Sequence, residues 1–242
     1  MNKLILCEGK TDAILLSYYL EQTCGWKYLK TPPAGLDIKV DAKNGETAEW
    51  YQKNSDRLLI CAVGSKDGFG RFFDHRVYRP LFDSDAFSKI ALMIDRDDES
   101  VAEIEADIRT SIPSVAGQAE NNCWVVHKYH NGFGEFKQLS FLLLIIPHNH
   151  QGALEALLLD AVSEDDYDRN IVEKSRAYVD RIAPEAERYI GKQRLKQKAY
   201  LGVTWAIQSP QKVFHHIDEQ IRAVRWERSV ILDQCFSHLR EI

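Results

Sequence analysis

Acidic residues follow two apolar, strand-like segments of the sequence. Glu8 comes directly after the first segment, and Asp12 lies four residues further on. The second segment, Lys89–Ile94, is followed by Asp95 and Asp97. Crowded carboxylates repel one another, and Mg²⁺ relieves this repulsion because it prefers oxygen ligands and keeps positions for phosphate oxygens. The pattern therefore predicts a site for one or two Mg²⁺ or Mn²⁺ ions, of the kind that serves phosphodiester chemistry.

The elements that must position these acids are alternating strands and helices. Apolar runs predict strands at 3–7, 58–63, 89–94, 124–129 and 138–146, with a weaker strand at 36–40. Periodic patterns predict helices at 11–22, 100–112 and 153–162, a short helix or turn at 45–53 and part of a helix at 77–82. This alternation favours an α/β fold with a mostly parallel central sheet flanked by helices.

The predicted sheet brings carboxylates to the ends of strands. Glu8 and Asp95 fall at carboxyl ends, where functional groups gather in an open α/β sheet. Asp97 is expected to share a side with Asp95, since alternate residues of an extended segment face the same way. A purely structural alternative stays open for single residues, because Asp12 or Asp98 could serve only to cap the following helix.

The last third of the chain has a different pattern, without predicted strands. Helical periodicity covers 166–182, 193–207 and 211–239, and prolines at positions 184 and 210 interrupt it. The predicted organisation is therefore an α/β domain over 1–162 and a helical C-terminal extension over 163–242 that packs on it.

The composition is that of an ordinary globular protein. Of the 242 residues, 45% are hydrophobic and 28% are charged, which argues against global disorder. The formal net charge of −5 gives no overall basic surface, so any contact with nucleic acid must use a local patch. The best candidate patch combines basic residues with Tyr189 and Tyr200, namely Arg188, Lys192, Arg194, Lys196 and Lys198. A solvated helix face is the plainer interpretation of the same residues.

The cysteines and the hydropathy of the sequence indicate in which cellular compartment the protein is expected. The five cysteines show no CxxC spacing, and their odd number fits no complete disulfide framework. The sequence shows no signal-peptide pattern, and its longest apolar run, 141–147, is too short to cross a bilayer. These features predict a reduced, cytoplasmic setting, no structural zinc and no membrane contact.

Two motifs together resemble the Toprim domain. They are Glu8-Gly9-x-x-Asp12 and Asp95-x-Asp97, and the resemblance covers about residues 3–162. It implies a Rossmann-like Toprim fold whose acids bind Mg²⁺. A third segment, Pro147-x-Asn149-x-x-Gly152-x-Leu154-Glu155, resembles small stand-alone Toprim-like proteins akin to the overcoming-lysogenization-defect (OLD) nucleases. The resemblance to that branch implies that Glu155 joins the metal ligands.

The sequence departs from the related families at two points. Glu99 stands where topoisomerases and primases have the third acid of Asp-x-Asp-x-Asp. No Walker A motif occurs, so the ATPase domain of OLD nucleases has no counterpart here and would have to be a separate protein partner. Gly64-Ser65-Lys66 resembles a Gly-Lys segment of the stand-alone group, with an ordinary turn as the alternative.

The expected function is a metal-dependent nuclease of the Toprim/OLD type that acts on DNA or RNA. Its expected metal ligands are Glu8, Asp12, Asp95, Asp97 and Glu155. Catalytic roles are assigned to Glu8, Asp95 and Lys66, and nucleic-acid contacts to Lys10, Arg96, Lys196 and Lys198. His148 or His150 could shuttle a proton, or both could be loop residues without a role.

Two other functions are weighed against the nuclease. One is a non-catalytic Toprim-fold module that binds nucleic acid or a protein partner, which the acidic charge balance favours. The other is a primase-like nucleotidyl transferase, which ranks last because no nucleotide pocket or template-binding domain is predicted. The oligomeric state is left open.

Overall fold

A seven-stranded mixed sheet organises the first half of the chain. The computed structural model describes residues 1–78, 86–130, 134–213 and 215–242. The strands are β1 (Asn2–Cys7), β2 (Lys27–Leu29), β3 (Thr47–Lys53), β4 (Asp56–Ala62), β5 (Lys89–Asp95), β6 (Cys123–His130) and β7 (Phe136–Ile146). Their order across the sheet is β2-β3-β4-β1-β5-β7-β6.

The centre of the sheet is parallel, as the sequence predicts. Strand β1 pairs in parallel with both β4 and β5, and Cys7 lies opposite Ala62 on one side and Met93 on the other. The pairs β2–β3, β3–β4 and β6–β7 are antiparallel. Leu4, Ile5 and Leu6 are fully buried, because a central parallel strand is covered on both faces. The predicted α/β class with a mostly parallel core is confirmed.

Helices connect the strands and form most of the C-terminal region. They are α1 (Lys10–Cys24), α2 (Phe69–Phe72), α3 (Val101–Ser111), α4 (Pro113–Ala116), α5 (Leu154–Val162), α6 (Asp166–Ile182), α7 (Glu187–Ile190), α8 (Gln193–Gln208), α9 (Ile217–Ala223) and α10 (Val230–Cys235). Short 3₁₀ turns occupy Ala42–Asn44, Lys66–Gly68, Pro210–Lys212, Trp226–Arg228 and Ser237–Glu241, and a π-helical turn spans Phe73–Tyr78. Within the described ranges, no helix is both long and apolar enough to cross a membrane.

The residues group into two compact units. The first unit consists of Met1–Ile94, Glu99–Ile145 and Ser237–Ile242 and contains the sheet. The second unit consists of Asp95–Asp98 and Ile146–Phe236 and contains α5 to α10. This division differs from the predicted boundary after residue 162, because α5 belongs with the later helices and residues 237–242 belong with the sheet.

Four local predictions are wrong or fall partly outside the described residues. Residues 45–53 were expected to form a helix or turn, but Thr47–Lys53 is a strand that pairs with β2 and β4. Residues 36–40 form no strand, and the helical pattern over 211–239 is divided into short turns and helices. Of the helix expected at 77–82, residues 79–82 lie outside the described residues.

Candidate functional site

Two motif acids belong to the first unit. Glu8 directly follows β1, and its backbone carbonyl accepts a hydrogen bond from Gly64 N at 2.9 Å. Asp12 lies in the first turn of α1, where its Oδ2 accepts a hydrogen bond from Gly9 N at 2.8 Å. The capping role that was weighed for Asp12 is therefore confirmed, because this bond satisfies a backbone donor at the start of the helix.

Deep burial distinguishes the motif acids from most acids of the chain. Among the described residues, the buried carboxylates belong to Glu8, Asp12, Glu46 and Asp95, which are 5%, 6%, 5% and 7% exposed. Glu46 accepts a hydrogen bond from Asp41 N at 2.8 Å and lies 3.5 Å from Arg76. Removing a carboxylate from water is costly unless hydrogen bonds or a cation compensate it. The other three buried acids belong to the two predicted motifs, whose fourth acid, Asp97, is half-buried.

Lys66 follows β4 in a turn that a glycine makes possible. Gly64 has a φ of +92°, and a Cβ at this position would lie 2.0 Å from the carbonyl oxygen of Asn44. Only glycine fits this close approach of two backbone segments. Lys66 then forms an ion pair with Glu99. Lys10, the other basic residue assigned near this group, is exposed at the first position of α1.

Asp95 holds the start of α5 in the second unit. It is the last residue of β5, and its Oδ1 accepts a hydrogen bond from Leu154 N at 3.0 Å. This bond satisfies one of the backbone donors that a helix leaves without an internal partner at its first turn. The strand-end positions predicted for Glu8 and Asp95 are confirmed by the bounds of β1 and β5.

Asp97 does not continue the extended backbone of β5. The strand ends at Asp95, and Asp97 has a φ of +49°, so the expectation that these two residues share a side by strand alternation is wrong. Two reciprocal backbone hydrogen bonds instead fasten Asp97 to Gly152, with N–O distances of 2.6 and 2.8 Å. Gly152 has a φ of +142°, a conformation that residues with a side chain rarely adopt.

Two lysines of the second unit form ion pairs with acids, and a tyrosine joins one of these pairs by a hydrogen bond. Lys198 Nζ lies 2.6 Å from Glu155 Oε1. Lys198 is predicted to contact nucleic acid and Glu155 to bind a metal ion, but in this structure the lysine neutralises the charge of the glutamate. Lys196 Nζ lies 2.6 Å from Asp180, which also accepts a hydrogen bond from the hydroxyl of Tyr200. These hydrogen bonds from Lys196 and Tyr200 lower the pKa of Asp180.

Arg96 and the two loop histidines are also held by neighbours. The backbone N of Arg96 donates to Ile146 O at 2.6 Å. His150 Nε2 lies 2.5 Å from Asp160, and His150 Nδ1 lies 2.7 Å from Gln151 O. Burial lowers the pKa of His150, but the bonds to Gln151 and Asp160 outweigh it and raise the pKa overall. Both ring nitrogens face acceptors, which favours a protonated imidazolium over a proton shuttle.

His148 lies beside a thiol. Its Nε2 is 3.8 Å from Cys235 Sγ, and burial raises the pKa of Cys235 to about 12. The thiol is therefore protonated at neutral pH and is not an activated nucleophile.

A cavity of about 440 Å³ in the second unit combines acidic, basic and amide groups. Its lining consists of Asp97, Asp98, Gly152, Lys192, Gln193, Arg194 and Gln197. The sequence had marked Asp97, Lys192 and Arg194, but it gave no signal for the two glutamines, whose position depends on how α8 packs. The sequence had offered Asp98 only as one of the acids after the second strand and as a possible helix cap.

The acids carry the right atoms for a hard divalent cation. Glu8, Asp12, Asp95, Asp97 and Glu155 offer only carboxylate oxygens, which suit Mg²⁺ or Mn²⁺. In the part of the chain that the structure describes, no group of three or more His, Cys, Asp or Glu side chains is arranged to hold a metal ion.

The fold and the acids together define an α/β protein with a mixed sheet and carboxylates at strand ends. The chain belongs to the family described as a protein of unknown function, DUF3226, whose pattern matches residues 2–234. It is also similar in fold to the crystal structure of hypothetical protein PH0156 from Pyrococcus horikoshii OT3. That similarity has a TM-score of 0.60 and 18% sequence identity, over 99% of this chain and 98% of the other. A comparison with curated proteins finds no match.

Proposed function

We propose that this protein is a Mg²⁺- or Mn²⁺-dependent nuclease, which cleaves phosphodiester bonds in DNA or RNA. The proposal assigns Glu8, Asp12, Asp95, Asp97 and Glu155 as metal ligands, as the resemblance to Toprim proteins implies. The observation that carries it is the burial of Glu8, Asp12 and Asp95, three of the four buried acids of the described residues. Burying a carboxylate costs free energy. This cost is offset where the carboxylate binds a cation or accepts hydrogen bonds from donors that would otherwise lack a partner.

The chemistry of the proposed site follows from its charges. A bound divalent cation supplies Lewis-acid activation and neutralises negative charge in phosphodiester hydrolysis. Lys66 or Lys198 would stabilise the negative charge that develops on the phosphate, although each is held by a glutamate in this structure. Substrate binding would therefore have to compete with Glu99 or Glu155 for these lysines.

Several further parts of the proposal rest on the sequence. Nucleic-acid contacts by Lys10, Arg96, Lys196 and Lys198, and a separate ATPase or other protein partner, belong to it. A reduced cytoplasmic setting is supported by the free thiols of the cysteines, namely Cys7, Cys24, Cys61, Cys123 and Cys235.

The decisive variant is Asp95→Asn, because asparagine keeps an oxygen that can accept the hydrogen bond of Leu154 N. Cleavage of single-stranded DNA, duplex DNA and RNA would be measured with Mn²⁺ or Mg²⁺. We expect the rate to fall by about a hundredfold or more, since several kcal/mol of transition-state stabilisation depend on the ligand charge. An unchanged rate in a folded Asp95→Asn protein would remove Asp95 from the mechanism.

Glu46→Gln is the matched control. Glu46 is as buried as the motif acids and also accepts a backbone hydrogen bond, but it lies outside both motifs. It should retain the wild-type rate. Equal losses in both variants would mean that burial of any carboxylate matters for folding, and that the assay does not report on a metal site.

A non-catalytic binding module is the second candidate function. It is favoured by the structural bonds that motif acids already make, from Gly9 N to Asp12, from Leu154 N to Asp95 and from Lys198 to Glu155. Titration calorimetry with Mn²⁺ separates the two functions. Binding that disappears in Asp95→Asn supports the nuclease, whereas no heat at millimolar Mn²⁺ supports the module.

A further inference from the structure

We infer that His150 is a positioning residue of the proposed metal site: as an imidazolium it fastens the loop 147–152 to α5, and through Gly152 it keeps Asp97 in place. This inference rests on the proposed function, because Asp97 is one of the metal ligands assigned there. All the residues that it uses belong to the second unit.

Two hydrogen bonds of the His150 ring hold the loop against α5. Nε2 lies 2.5 Å from Oδ2 of Asp160, in the last turn of that helix, and Nδ1 lies 2.7 Å from the carbonyl oxygen of Gln151. A neutral imidazole carries one N–H, so it donates to only one of these two acceptors, whereas an imidazolium donates to both. The complete fastening therefore needs the protonated ring.

The two residues that follow His150 hold the backbone of Asp97 and Asp98. Gln151 Nε2 donates to the carbonyl oxygen of Asp98 at 2.7 Å, and Gly152 exchanges two backbone hydrogen bonds with Asp97, at 2.6 and 2.8 Å. Asp97 has a φ of +49°, a conformation that persists when the surrounding structure maintains it. The position of the Asp97 carboxylate therefore depends on the loop that His150 fastens.

Groups on several elements surround the His150 ring. The titratable or charged groups that pair with it or share a cavity with it are Asp160 on α5, Arg176 on α6, Tyr200 on α8, Cys235 on α10 and His148 on the loop itself. Asp160 binds two cations, because Arg176 lies 3.7 Å from its Oδ1. Burial raises the pKa values of Tyr200 and Cys235, so these two groups stay neutral near pH 7 and leave the charge beside the ring unchanged.

The fastening weakens as the pH rises. Burial of the ring and the positive charge of Arg176 lower the pKa of His150, whereas the bonds to Gln151 and Asp160 raise it and prevail. Because the pKa is raised in the folded protein, the fastening is complete below the ordinary histidine pKa of 6.5 and is lost as the pH rises through the raised value.

NMR of the metal-free protein tests the fastening. The His150 ring resonance, identified by its absence in His150→Gln, should titrate with a pKa above 6.5, and Asp160→Asn should lower that pKa. Protection of the Asp97 and Gly152 amides, corrected for the intrinsic pH dependence of hydrogen exchange, should fall about tenfold across this titration, as for the loss of one hydrogen bond. An unchanged pKa in Asp160→Asn, or protection that does not depend on pH, would overturn the inference.

His215→Gln is the matched control. His215 also lies against a carboxylate, that of Glu219, but it lines neither of the described cavities that contain His150. Amide protection in His215→Gln should follow wild type, whereas His150→Gln should show the lower protection at every pH. Equal protection in His150→Gln and wild type would mean that the loop does not need the imidazolium, which would contradict the inference.

Calorimetry with Mn²⁺ tests the positioning role. The affinities of wild type and His150→Gln would be compared one pH unit below and one pH unit above the pKa of His150 measured by NMR, so that titration of the carboxylates affects both proteins alike. The ratio of the wild-type affinity to that of His150→Gln should be about ten at the lower pH and should approach one at the higher pH. Direct repulsion between an imidazolium and the cation would give a ratio below one at the lower pH, which would also refute the inference.

The inference and the proposed function fail in different ways. A ratio that stays constant with pH, while wild type binds Mn²⁺, would overturn the positioning role and leave the proposed function standing. No binding of Mn²⁺ by wild type would overturn the proposed function, and with it the role of His150 in positioning a metal ligand, whatever the exchange rates show.

Discussion

Two acids of the first unit, Glu8 and Asp12, and two of the second, Glu155 and Asp180, are held in different ways. In the first unit, Glu8 and Asp12 are buried, and the backbone N–H of Gly9 donates to Asp12. In the second unit, Glu155 and Asp180 bind lysines, and Asp180 is half exposed. A carboxylate bound to backbone is part of the fold, whereas one paired with a partly exposed lysine can exchange partners at small cost. The first kind is suited to a fixed ligand, and the second to a group that changes partner when substrate binds.

The largest effect is expected from a substitution that disturbs the backbone next to Glu8. Gly64→Ala should lower the free energy of unfolding by more than about 3 kcal/mol, because a positive φ adds to a backbone clash with Asn44 O. Chemical denaturation measures this loss. Gly25→Ala is the control, since Gly25 also has a positive φ but its Cβ would meet no atom within 4 Å. A loss no larger than that of Gly25→Ala would mean that the backbone beside Glu8 adapts.

A smaller effect should separate the two roles of Asp12. Asp12→Ala removes the acceptor of Gly9 N and should cost about 1 kcal/mol of unfolding free energy. Asp12→Asn keeps an acceptor, so it should restore most of that stability while still removing the charge needed by a cation. If both variants lose Mn²⁺ binding and only Asp12→Ala loses stability, Asp12 is both a cap and a ligand. If Asp12→Asn keeps full Mn²⁺ affinity, Asp12 is only a cap.

The smallest effect is expected for the pair Glu155–Lys198. A double-mutant cycle with Glu155→Gln and Lys198→Gln should give a coupling energy below about 1 kcal/mol, because the lysine is half exposed and the pair is screened by water. Denaturation of the four proteins provides the measurement. A coupling energy of several kcal/mol would place this pair with the fixed acids of the first unit and would break the comparison.

The sequence predicted those elements whose pattern depends on burial alone. Strands β1, β4 and β5 are continuous apolar runs because both of their faces are covered, and α6 was predicted with its observed bounds, Asp166–Ile182. Strand β3 was missed because its residues gain their stability from pairing with β2 and β4, a contact that no local pattern records.

The sequence identified residues of the candidate site but not the groups that each of them binds. The sequence placed Glu8 and Asp95 at strand ends, which the structure confirms. It could not predict that Leu154 N binds Asp95, that Lys198 binds Glu155 or that Asp97 leaves the extended conformation. Each of these depends on segments far apart in the chain that meet only after folding.

The first unit combines early and late segments of the chain, which has a consequence for folding during synthesis. Residues 237–242 belong to this unit, where Leu239 is fully buried and the carbonyl of His238 accepts a hydrogen bond from Trp124 Nε1 at 3.0 Å. Domains generally fold as they leave the ribosome, from the N-terminal side onward. All seven strands are made by Ile146, but the segment 237–242 of the same unit is made after the helices of the second unit. The nascent chain therefore carries a complete set of strands with the place of Leu239 unfilled until this segment has left the ribosome.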